Sequence, residues 1–182
     1  MQLSKRMQRL ASLVTEENRL ADIGTDHGYI PIYLIQQKKI QSALAMDINS
    51  GPLSRAKEHI EASGLTTYIE TRLSDGLCKL EADEADTVLI AGMGGMLMVS
   101  ILNGGAHCLD TVKELILQPQ SDIQEVRHWL YQHNYRIIVE DIVFEDGKYY
   151  PMMKAIHGQD EKFSDEELYY GRTSQQRSKE VL

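Results

Sequence analysis

Short apolar runs alternate with longer amphipathic runs through most of this chain, and this alternation restricts the fold more than any other feature. The apolar runs have the length of strands and cover residues 19–23, 42–48, 68–73, 86–91 and 114–117. Helical patterns lie between them at residues 30–38, 52–63, 96–102 and 122–133. Strands that alternate with helices are typical of a parallel sheet with helices on both faces. The pattern therefore predicts an α/β fold.

Two further β-rich runs follow His133, in the stretch YRIIVEDIVFEDGKYYPMMKAI. Asp146 and Gly147 join them, and an Asp-Gly pair between two such runs is a strong hairpin signal. We therefore expect a mostly parallel, seven-stranded sheet that ends in an antiparallel hairpin. Ser4 is expected to cap a helix that precedes the first strand.

A change in composition divides the chain into a domain over residues 1–157 and a polar appendage over residues 158–182. The appendage loses the apolar rhythm of the domain. It keeps four isolated apolar anchors, Phe163, Leu168, Tyr169 and Tyr170. Such a segment docks on the domain, extends from it or frays.

The formal net charge of −8 argues against broad, unspecific binding to DNA, to other nucleic acids or to an anionic membrane. Binding of that kind depends on many Lys or Arg contacts with phosphates. A local basic face is still possible at Lys5, Arg6 and Arg9, followed by Lys38 and Lys39. A solvated helix face is the alternative reading of these cations.

Cysteine content and apolar run lengths predict a cytoplasmic protein. Only Cys78 and Cys108 occur, with no Cys or His partner at ligand spacing, so neither a disulfide framework nor a metal site is expected. The N-terminal sequence has no continuous apolar segment typical of a secretory signal. The longest apolar run, residues 88–102, is shorter than the roughly 20 residues that cross a bilayer. The oligomeric state does not follow from the sequence.

Four loops that follow predicted strands carry polar or glycine residues: DIGTDHG, MDINSGP, LSDGL and IAGMGGM. In a doubly wound sheet, ligands bind outside the carboxyl ends of the strands, near the point where the strand order reverses. The four loops are therefore expected to converge on one ligand site.

The first three loops place acids where a nucleoside would need them. Asp22 precedes Gly24 and Gly28 in the spacing D-x-G-x-x-x-G, and glycine there lets the backbone turn sharply beside a ligand. Asp47 lies 25 residues after Asp22, close to the roughly 20 residues at which such folds place an acid on a ribose diol. A helix cap is the alternative role for Asp47.

Asp75, in the third loop, suits an acceptor for an adenine amino group, and an Asp-Gly turn is the alternative role for it.

Asp26, in the middle of the first loop, decides between two kinds of nucleotide ligand. A dinucleotide site brings backbone N–H groups against a pyrophosphate, and an acid at that place would repel the anion. S-adenosylmethionine has no phosphate and carries a cationic sulfonium, so acids in its pocket are tolerated or favourable. Asp26 therefore argues against an NAD-dependent oxidoreductase and for a methyl donor.

At this point the chain resembles a known family, the bacterial tRNA adenine-N1 methyltransferases that modify the adenine at tRNA position 22. The stretches that carry the resemblance are LSKRMQRLASLV, ADIGTDHGYIP, SDGL, IAGMGGMLM and LILQP, and it extends from Leu3 to about Ile156. It implies a Rossmann-like class I methyltransferase domain, S-adenosylmethionine as cofactor, S-adenosylhomocysteine as product and tRNA as partner. The family usually adds a C-terminal helical extension. Here the tail ends at Leu182, too early for a full helical hairpin, so either the sequence is truncated or this member has a reduced appendage. In both cases full tRNA affinity is not expected, whereas donor binding is.

The resemblance also implies roles for individual residues. Asp26 is at the position of the acid that has been proposed as the catalytic residue in this family. The donor would contact Asp22, Gly24, His27, Gly28, Asp47, Ile48, Asp75, Gly76, Gly92 and Met93. The tRNA would contact Lys5, Arg6, Arg9, Tyr29, Gly94, Gly95, Gln118 and Pro119.

Residues 92–95 stand where amino-directed adenine methylases carry an N-P-P-Y-like tetrapeptide, so the nucleophile is expected to be a ring nitrogen. Adenine N1 has an in-plane lone pair that attacks a methyl group without a strong base. Asp26 would accept a hydrogen bond from the adenine amino group and stabilise the positive charge that develops on the ring. Two alternatives stay open, a methyltransferase for a small molecule or protein and a donor-binding RNA regulator without catalysis.

Overall fold

A computed structural model describes residues 3–172 of the chain. The strands are β1 (Leu20–Ile23), β2 (Ala43–Asp47), β3 (Ile69–Leu73), β4 (Thr87–Met93), β5 (Glu114–Pro119), β6 (Tyr135–Glu145) and β7 (Lys148–His157). The α-helices are α1 (Lys5–Leu13), α2 (Tyr29–Gln36), α3 (Ser50–Ala62), α4 (Gly95–Gly104), α5 (Ile123–Gln132) and α6 (Asp165–Tyr170). A 3-10 turn, Leu109–Thr111, precedes β5.

The seven strands form one sheet in the order β3-β2-β1-β4-β5-β7-β6. The pairs from β3 through to β5 are parallel, whereas β7 pairs antiparallel with both β5 and β6. This confirms the predicted mostly parallel sheet with an antiparallel hairpin at one edge. The strand order reverses between β1 and β4, so their carboxyl ends mark the position where ligands bind in such sheets.

Two apolar cores cover the two faces of the sheet, as the prediction of helices on both faces requires. Helices α1 and α2 contribute to one core, and α4 and α5 contribute to the other. Strand β1 contributes side chains to both cores. Leu20 packs in the core with α1 and α2, and Ala21 and Ile23 pack in the core with α4 and α5. A strand buried on both sides has no polar face, which explains why the sequence signal was a continuous apolar run.

Local signals in the sequence correspond to the observed ends of elements. The Ser4 hydroxyl accepts a hydrogen bond from the Met7 N–H at 3.3 Å, which confirms the predicted cap of α1. Asp146 and Gly147 both have positive φ, as a two-residue hairpin turn requires. In the part of the chain that the structure describes, no helix combines the length and the hydropathy needed to span a bilayer.

The described part of the polar appendage docks on α5. Arg127, a buried residue of α5, donates from Nη1 to the Leu168 carbonyl at 2.5 Å and to the Tyr169 carbonyl at 3.2 Å. Of the predicted anchors, Phe163 is buried, Leu168 is half-buried, and Tyr169 and Tyr170 are exposed. Residues 173–182 of the appendage lie outside the described residues. The division of the chain after residue 157 stays a prediction.

A buried carboxylate, Glu114, connects four segments beneath the sheet edge opposite to the loops. It accepts hydrogen bonds from the Thr15 N–H at 2.9 Å, the Thr15 hydroxyl at 2.6 Å and the Thr87 hydroxyl at 2.8 Å. Lys154 Nζ lies 2.9 Å from its second oxygen. Burial alone would raise the pKa of Glu114, but these hydrogen bonds outweigh burial and hold the pKa below its usual value. Glu114 therefore ties the segment after α1 to β4, β5 and β7.

We predict that Glu114→Gln lowers the free energy of unfolding by about 2 kcal/mol, because it removes a charged acceptor and leaves Lys154 without its counterion. Urea unfolding at neutral pH measures the change. The deficit should shrink as the pH falls below about 4.3, the ordinary pKa of glutamate, and on through the lowered pKa of the native carboxylate. Glu58→Gln, at an exposed position of α3, is the matched control. Equal stability of the two variants at neutral pH would contradict the role of Glu114.

Candidate active site

The loop between β1 and α2 needs glycine at two positions. Gly24 has φ +76° and Gly28 has φ +68°, a conformation that costs a side-chain-bearing residue free energy. A Cβ at Gly24 would lie 2.1 Å from the Met93 methyl carbon, and one at Gly28 would lie 3.5 Å from the Ala56 Cβ. The loop is thus held between the end of β4 on one side and α3 on the other.

A cleft of about 300 Å³ opens at this loop, between α1 and the carboxyl ends of β1 and β4. Polar and glycine residues of the loop form one wall, and α1 forms the opposite wall. The cleft is lined by Arg6, Met7, Leu10, the loop residues 22–30, Leu89, Ala91, Gly92 and Gln120. The predicted site residues of the first loop are therefore brought together with Arg6 and Gly92.

Asp22 is the buried acid of the cleft, with 7% of its surface exposed. Burial raises the pKa of Asp22, Thr25 opposes the rise and the nearby Asp47 carboxylate adds to it, and together these effects bring the pKa to about 6. The carboxylate is thus ionised at neutral pH against the cost of its desolvation. A cationic ligand in the cleft would offset that cost.

Asp26 lies at the rim of the cleft and is held by a residue that sequence reasoning missed. Its side chain is 62% exposed, and Arg55 of α3 donates from Nη2 to Asp26 Oδ1 at 2.7 Å. His27 Nε2 lies 3.4 Å from Asp26 Oδ2. The guanidinium thus occupies one carboxylate oxygen and leaves the other beside an imidazole.

Three rings stack beside this acid. His27 and Tyr29 have ring centroids 4.9 Å apart, and His59 of α3 lies 5.4 Å from His27 and 5.2 Å from Tyr29. His59 Nδ1 also lies 3.0 Å from the His27 carbonyl oxygen. His27 Nδ1 is shielded from solvent and has no hydrogen-bond partner within residues 3–172. His59, like Arg55, was not predicted, although the two lie four residues apart on one face of a predicted helix.

The acids at the ends of β2 and β3 lie at the same sheet edge. Asp47 Oδ1 accepts a hydrogen bond from the Asn49 N–H at 2.7 Å in the turn that leads into α3, but the N-cap of α3 is Asn49 and Asp47 itself does not cap the helix. No described residue uses its second oxygen, which stays available to a ligand. The Asp47 carbonyl accepts from the Ser74 N–H at 2.9 Å, which joins the two strand ends. Ile48 and Asp75 are exposed beside them.

The glycines near α4 have different structural roles. Gly76, with φ +51°, packs against α4, because a Cβ there would lie 2.9 Å from Ile101. Gly95 is buried, and its Cβ would lie 2.5 Å from the carbonyl oxygens of Ser121 and Asp122. Gly94 is close to Ser121 as well. Neither Gly94 nor Gly95 lines the cleft, so close backbone packing explains why both are glycine.

The predicted basic face on α1 is divided by the fold. Arg6 enters the cleft, whereas Arg9 forms an ion pair with the buried Asp141 at 2.6 Å. Lys5 is exposed outside the cleft. Only one of the three cations is therefore placed at the site itself.

The two β5 residues that were predicted to face the acceptor lie behind the cleft wall. Gln118 is fully buried and accepts hydrogen bonds from Arg6 Nη1 and from the Gly92 N–H, both at 3.2 Å. Pro119 is buried at the end of β5. Gln120, one residue further on, lines the cleft and was not predicted.

Sequence similarity supports a methyl-transfer site. The methyltransferase domain family matches residues 3–153. The chain is 42% identical over 158 residues to the tRNA (adenine(22)-N(1))-methyltransferase of Bacillus subtilis strain 168. The aligned stretch covers 87% of this chain and 66% of that relative, slightly under two thirds of its length.

Solved structures with the same fold include proteins bound to a methyl donor or its product. Streptococcus pneumoniae Sp1610 in complex with S-adenosyl-L-methionine superposes with a TM-score of 0.91 at 38% identity, over 93% of this chain and 79% of that one. Mycoplasma capricolum TrmK with S-adenosyl-homocysteine gives 0.87 at 34% identity, over 94% and 76%. The M1A22 tRNA methyltransferase TrmK of B. subtilis gives 0.82 at 41% identity, over 87% and 68%.

The buried Asp22 carboxyl predicts a pH-dependent stability. Its pKa rises from 3.8 to about 6 on folding, so the native state binds this proton more tightly than the unfolded chain does. The stability that this group contributes is fully present below about pH 4 and is lost as the pH rises through about 6. A shift of this size corresponds to about 3 kcal/mol.

Asp22→Asn removes this titration, so we expect the variant to gain stability relative to wild type as the pH rises from about 4 to about 7. Urea unfolding across that range measures the difference. Asp75→Asn, at an exposed carboxyl without a described side-chain partner, is the control. Parallel pH profiles of Asp22→Asn and wild type would contradict the assignment.

Proposed function

This chain belongs to the methyltransferase domain family, and we propose that it transfers a methyl group from S-adenosylmethionine to N1 of the adenine at tRNA position 22. The observation that carries the proposal is the position of Asp26. Its carboxylate lies at the rim of the cleft that Gly24, a glycine with positive φ, also lines. The name of the B. subtilis relative supports the substrate. The donor complex of Sp1610 supports the cofactor.

The strand ends suit the adenosine half of the donor. The unused oxygen of Asp47 would accept from a ribose hydroxyl, while Asp75 and Gly76 would bind the adenine amino group. Ile48 is 57% exposed beside them, an apolar side chain that a flat base would cover. The glycine conformation at Gly24 lets a ligand approach the backbone. We therefore place the adenosine between the β2 and β3 ends.

The remaining predicted donor contacts surround the reactive end of the cofactor. When bound, the donor supplies an electrophilic methyl on a cationic sulfur and leaves as S-adenosylhomocysteine. Asp22 would stabilise the cationic end by its charge. His27 has an unpartnered, shielded Nδ1 that a ligand or water would satisfy. The wall around this reactive end would consist of the backbone of Gly28 and Gly92 and the thioether side chain of Met93.

Asp26 would act on the target base by preorganised electrostatics. Adenine N1 attacks the methyl carbon with its lone pair, and positive charge spreads over the ring. The Asp26 carboxylate would accept a hydrogen bond from the adenine amino group and stabilise that charge. Because Arg55 fixes Oδ1 at 2.7 Å, the carboxylate does not need to be ordered when the base arrives.

The same carboxylate would select adenine over guanine. Adenine presents an amino donor beside N1, whereas guanine presents a carbonyl oxygen there and a protonated N1. A carboxylate facing the guanine oxygen would be unpaired and repelled. The base must leave its stack before transfer, and Tyr29 would then stack on it in place of a neighbouring base.

Contacts to the rest of the tRNA are proposed at the mouth of the cleft. Arg6, which lines the cleft, and the exposed Lys5 are the basic residues free to contact RNA there, whereas Arg9 is paired with Asp141. Gly94, Gly95 and the buried Gln118 and Pro119 would support the wall from behind and not contact the RNA. With a net charge of −8, recognition would rely on RNA shape and give a shallow salt dependence. A cytoplasmic location and the absence of DNA binding stay predictions from the sequence.

Methyl transfer to tRNA is tested with unmodified tRNA transcripts that carry adenine or guanine at position 22. The protein is incubated with S-adenosylmethionine and each transcript, and nucleosides are analysed for 1-methyladenosine by mass spectrometry. We expect product from the adenine transcript alone. Donor binding without product on either transcript would contradict the proposal and favour another acceptor or a donor-binding regulator.

Asp26→Ala is predicted to lower the single-turnover methylation rate by about 100-fold, because the transition state loses its preorganised anion. Asp26→Asn should fall between Ala and wild type, since its amide oxygen still accepts a hydrogen bond but carries no charge. Affinity for S-adenosylhomocysteine should change little in both variants. Asp165→Ala, at an exposed carboxylate of α6, is the control. A wild-type rate in Asp26→Ala would exclude the proposed role.

A further inference from the structure

A second cavity lies at the opposite end of the sheet from the cleft. It has a volume of about 170 Å³ and opens beside the 3-10 turn that precedes β5, at the C-terminal ends of α4 and α5. Three aliphatic side chains line it, those of Leu102, Ala106 and Leu109. It shares no lining residue with the cleft, so the two are separate sites.

Four of the lining residues carry rings that stack in series. The Trp129 ring centroid lies 4.0 Å from that of His133 and 5.8 Å from that of Tyr135. The Tyr135 ring in turn lies 4.6 Å from the His157 ring. Trp129 Nε1 donates to Asn103 Oδ1 at 2.7 Å, which holds the indole in place. A lining of aliphatic groups and ordered rings favours a flat, apolar ligand.

The internal contacts of the two histidines leave an acceptor on each ring. His133 Nδ1 lies 2.8 Å from the Trp129 carbonyl oxygen, and His157 Nε2 lies 2.8 Å from the Val112 carbonyl oxygen. A carbonyl oxygen only accepts, so each of these nitrogens carries a hydrogen. The opposite nitrogen of each neutral imidazole is therefore an acceptor. Neither of these acceptors has a hydrogen-bond partner in the described part of the chain.

Asp110 adds a negative charge to the cavity. It is an exposed lining residue, and its carboxylate has no hydrogen-bond or ion-pair partner within residues 3–172. Burial raises the pKa of the Tyr135 hydroxyl, and the charge of Asp110 raises it further, so the carboxylate acts on the cavity interior. The lining contains no lysine or arginine that would neutralise this charge. A ligand with a positive charge is therefore favoured.

We propose that this cavity binds a small aromatic amine, one flat ring that carries a primary ammonium group. The ring packs on the aliphatic and aromatic lining, and the ammonium donates to Asp110 and to the free imidazole nitrogens. A neutral ring leaves the carboxylate without a counterion, and an ammonium without a ring leaves the apolar lining uncovered. The proposal goes beyond methyl transfer, because no residue of the cleft takes part.

Trp129 provides the readout, since it is the only tryptophan of the chain and lines the cavity. Its fluorescence is followed during titration with benzylamine, with benzyl alcohol, which is a neutral ligand of the same size, and with methylamine, which is a cation without the ring. We expect a saturable change with benzylamine and a Kd on the order of 1 mM, as suits so small a ligand. The other two ligands should bind about tenfold more weakly or less.

Two variants separate the charge from the cavity. Asp110→Asn should weaken benzylamine binding by about tenfold and leave benzyl alcohol binding within about twofold of wild type, which also shows that the variant is folded. Ala106→Leu, at an exposed position of the lining, fills the cavity and should remove binding of both ligands, while its urea unfolding midpoint shows that it is folded. Asp165→Asn, at an exposed carboxyl of α6, is the control and should bind as wild type does.

The inference would be overturned by any of three results. The first is the absence of a saturable fluorescence change in the wild-type protein. The second is equal affinity for benzylamine and benzyl alcohol, which would remove the role of Asp110. The third is unchanged binding in Ala106→Leu, or competition by S-adenosylhomocysteine, since either would place the amine outside this cavity. None of these results bears on methyl transfer to tRNA.

Discussion

The cleft depends on a backbone constraint at the ends of two neighbouring parallel strands. Strands β1 and β4 pair in register up to Ile23 and Ile90. Gly24, directly after β1, and Gly92, near the end of β4, both have positive φ. Strand β1 therefore ends at this level, whereas β4 continues along β5 to Met93 with an irregularity at Gly92, at the point where the strand order reverses. Met93 then packs on Gly24, so a side chain at position 24 would collide with it. Gly24 and Gly92 both line the opening beside α1.

The cleft contains charges of both signs, whereas the chain as a whole is strongly acidic. The net charge of −8 describes the surface as a whole, whereas the cleft combines the buried Asp22 with the half-buried Arg6. Burial raises the pKa of Asp22 to about 6, so its ionised form costs stability in the ligand-free protein. A structural role alone would be served better by an apolar residue. This is consistent with our proposal that Asp22 is a site residue whose cost in stability is offset by a cationic ligand.

The sequence was sufficient for the features that local rules determine. Strands and helices followed from apolar periodicity, the β6–β7 turn from Asp146-Gly147, and the convergence of Asp22 and Asp47 from the shared sheet edge of parallel strands. It was insufficient where a side chain's partner comes from a distant segment. The Arg9–Asp141 pair joins residues 132 positions apart. Arg9 was predicted from the sequence to contact tRNA, but in the fold its guanidinium pairs with Asp141. No periodicity indicates such a pairing.

Helix α3 connects the end of β2 at Asp47 to the loop that carries Asp26. Its start is fixed by the turn in which Asp47 accepts the Asn49 N–H, directly after the acid that we assign to the donor ribose. One helical turn apart, Arg55 contacts Asp26 and His59 contacts the His27 carbonyl, so the same helix holds two consecutive residues of the loop between β1 and α2. A rigid helix transmits a displacement at one end to the other. A donor bound at Asp47 would therefore constrain the position from which Asp26 meets the target base.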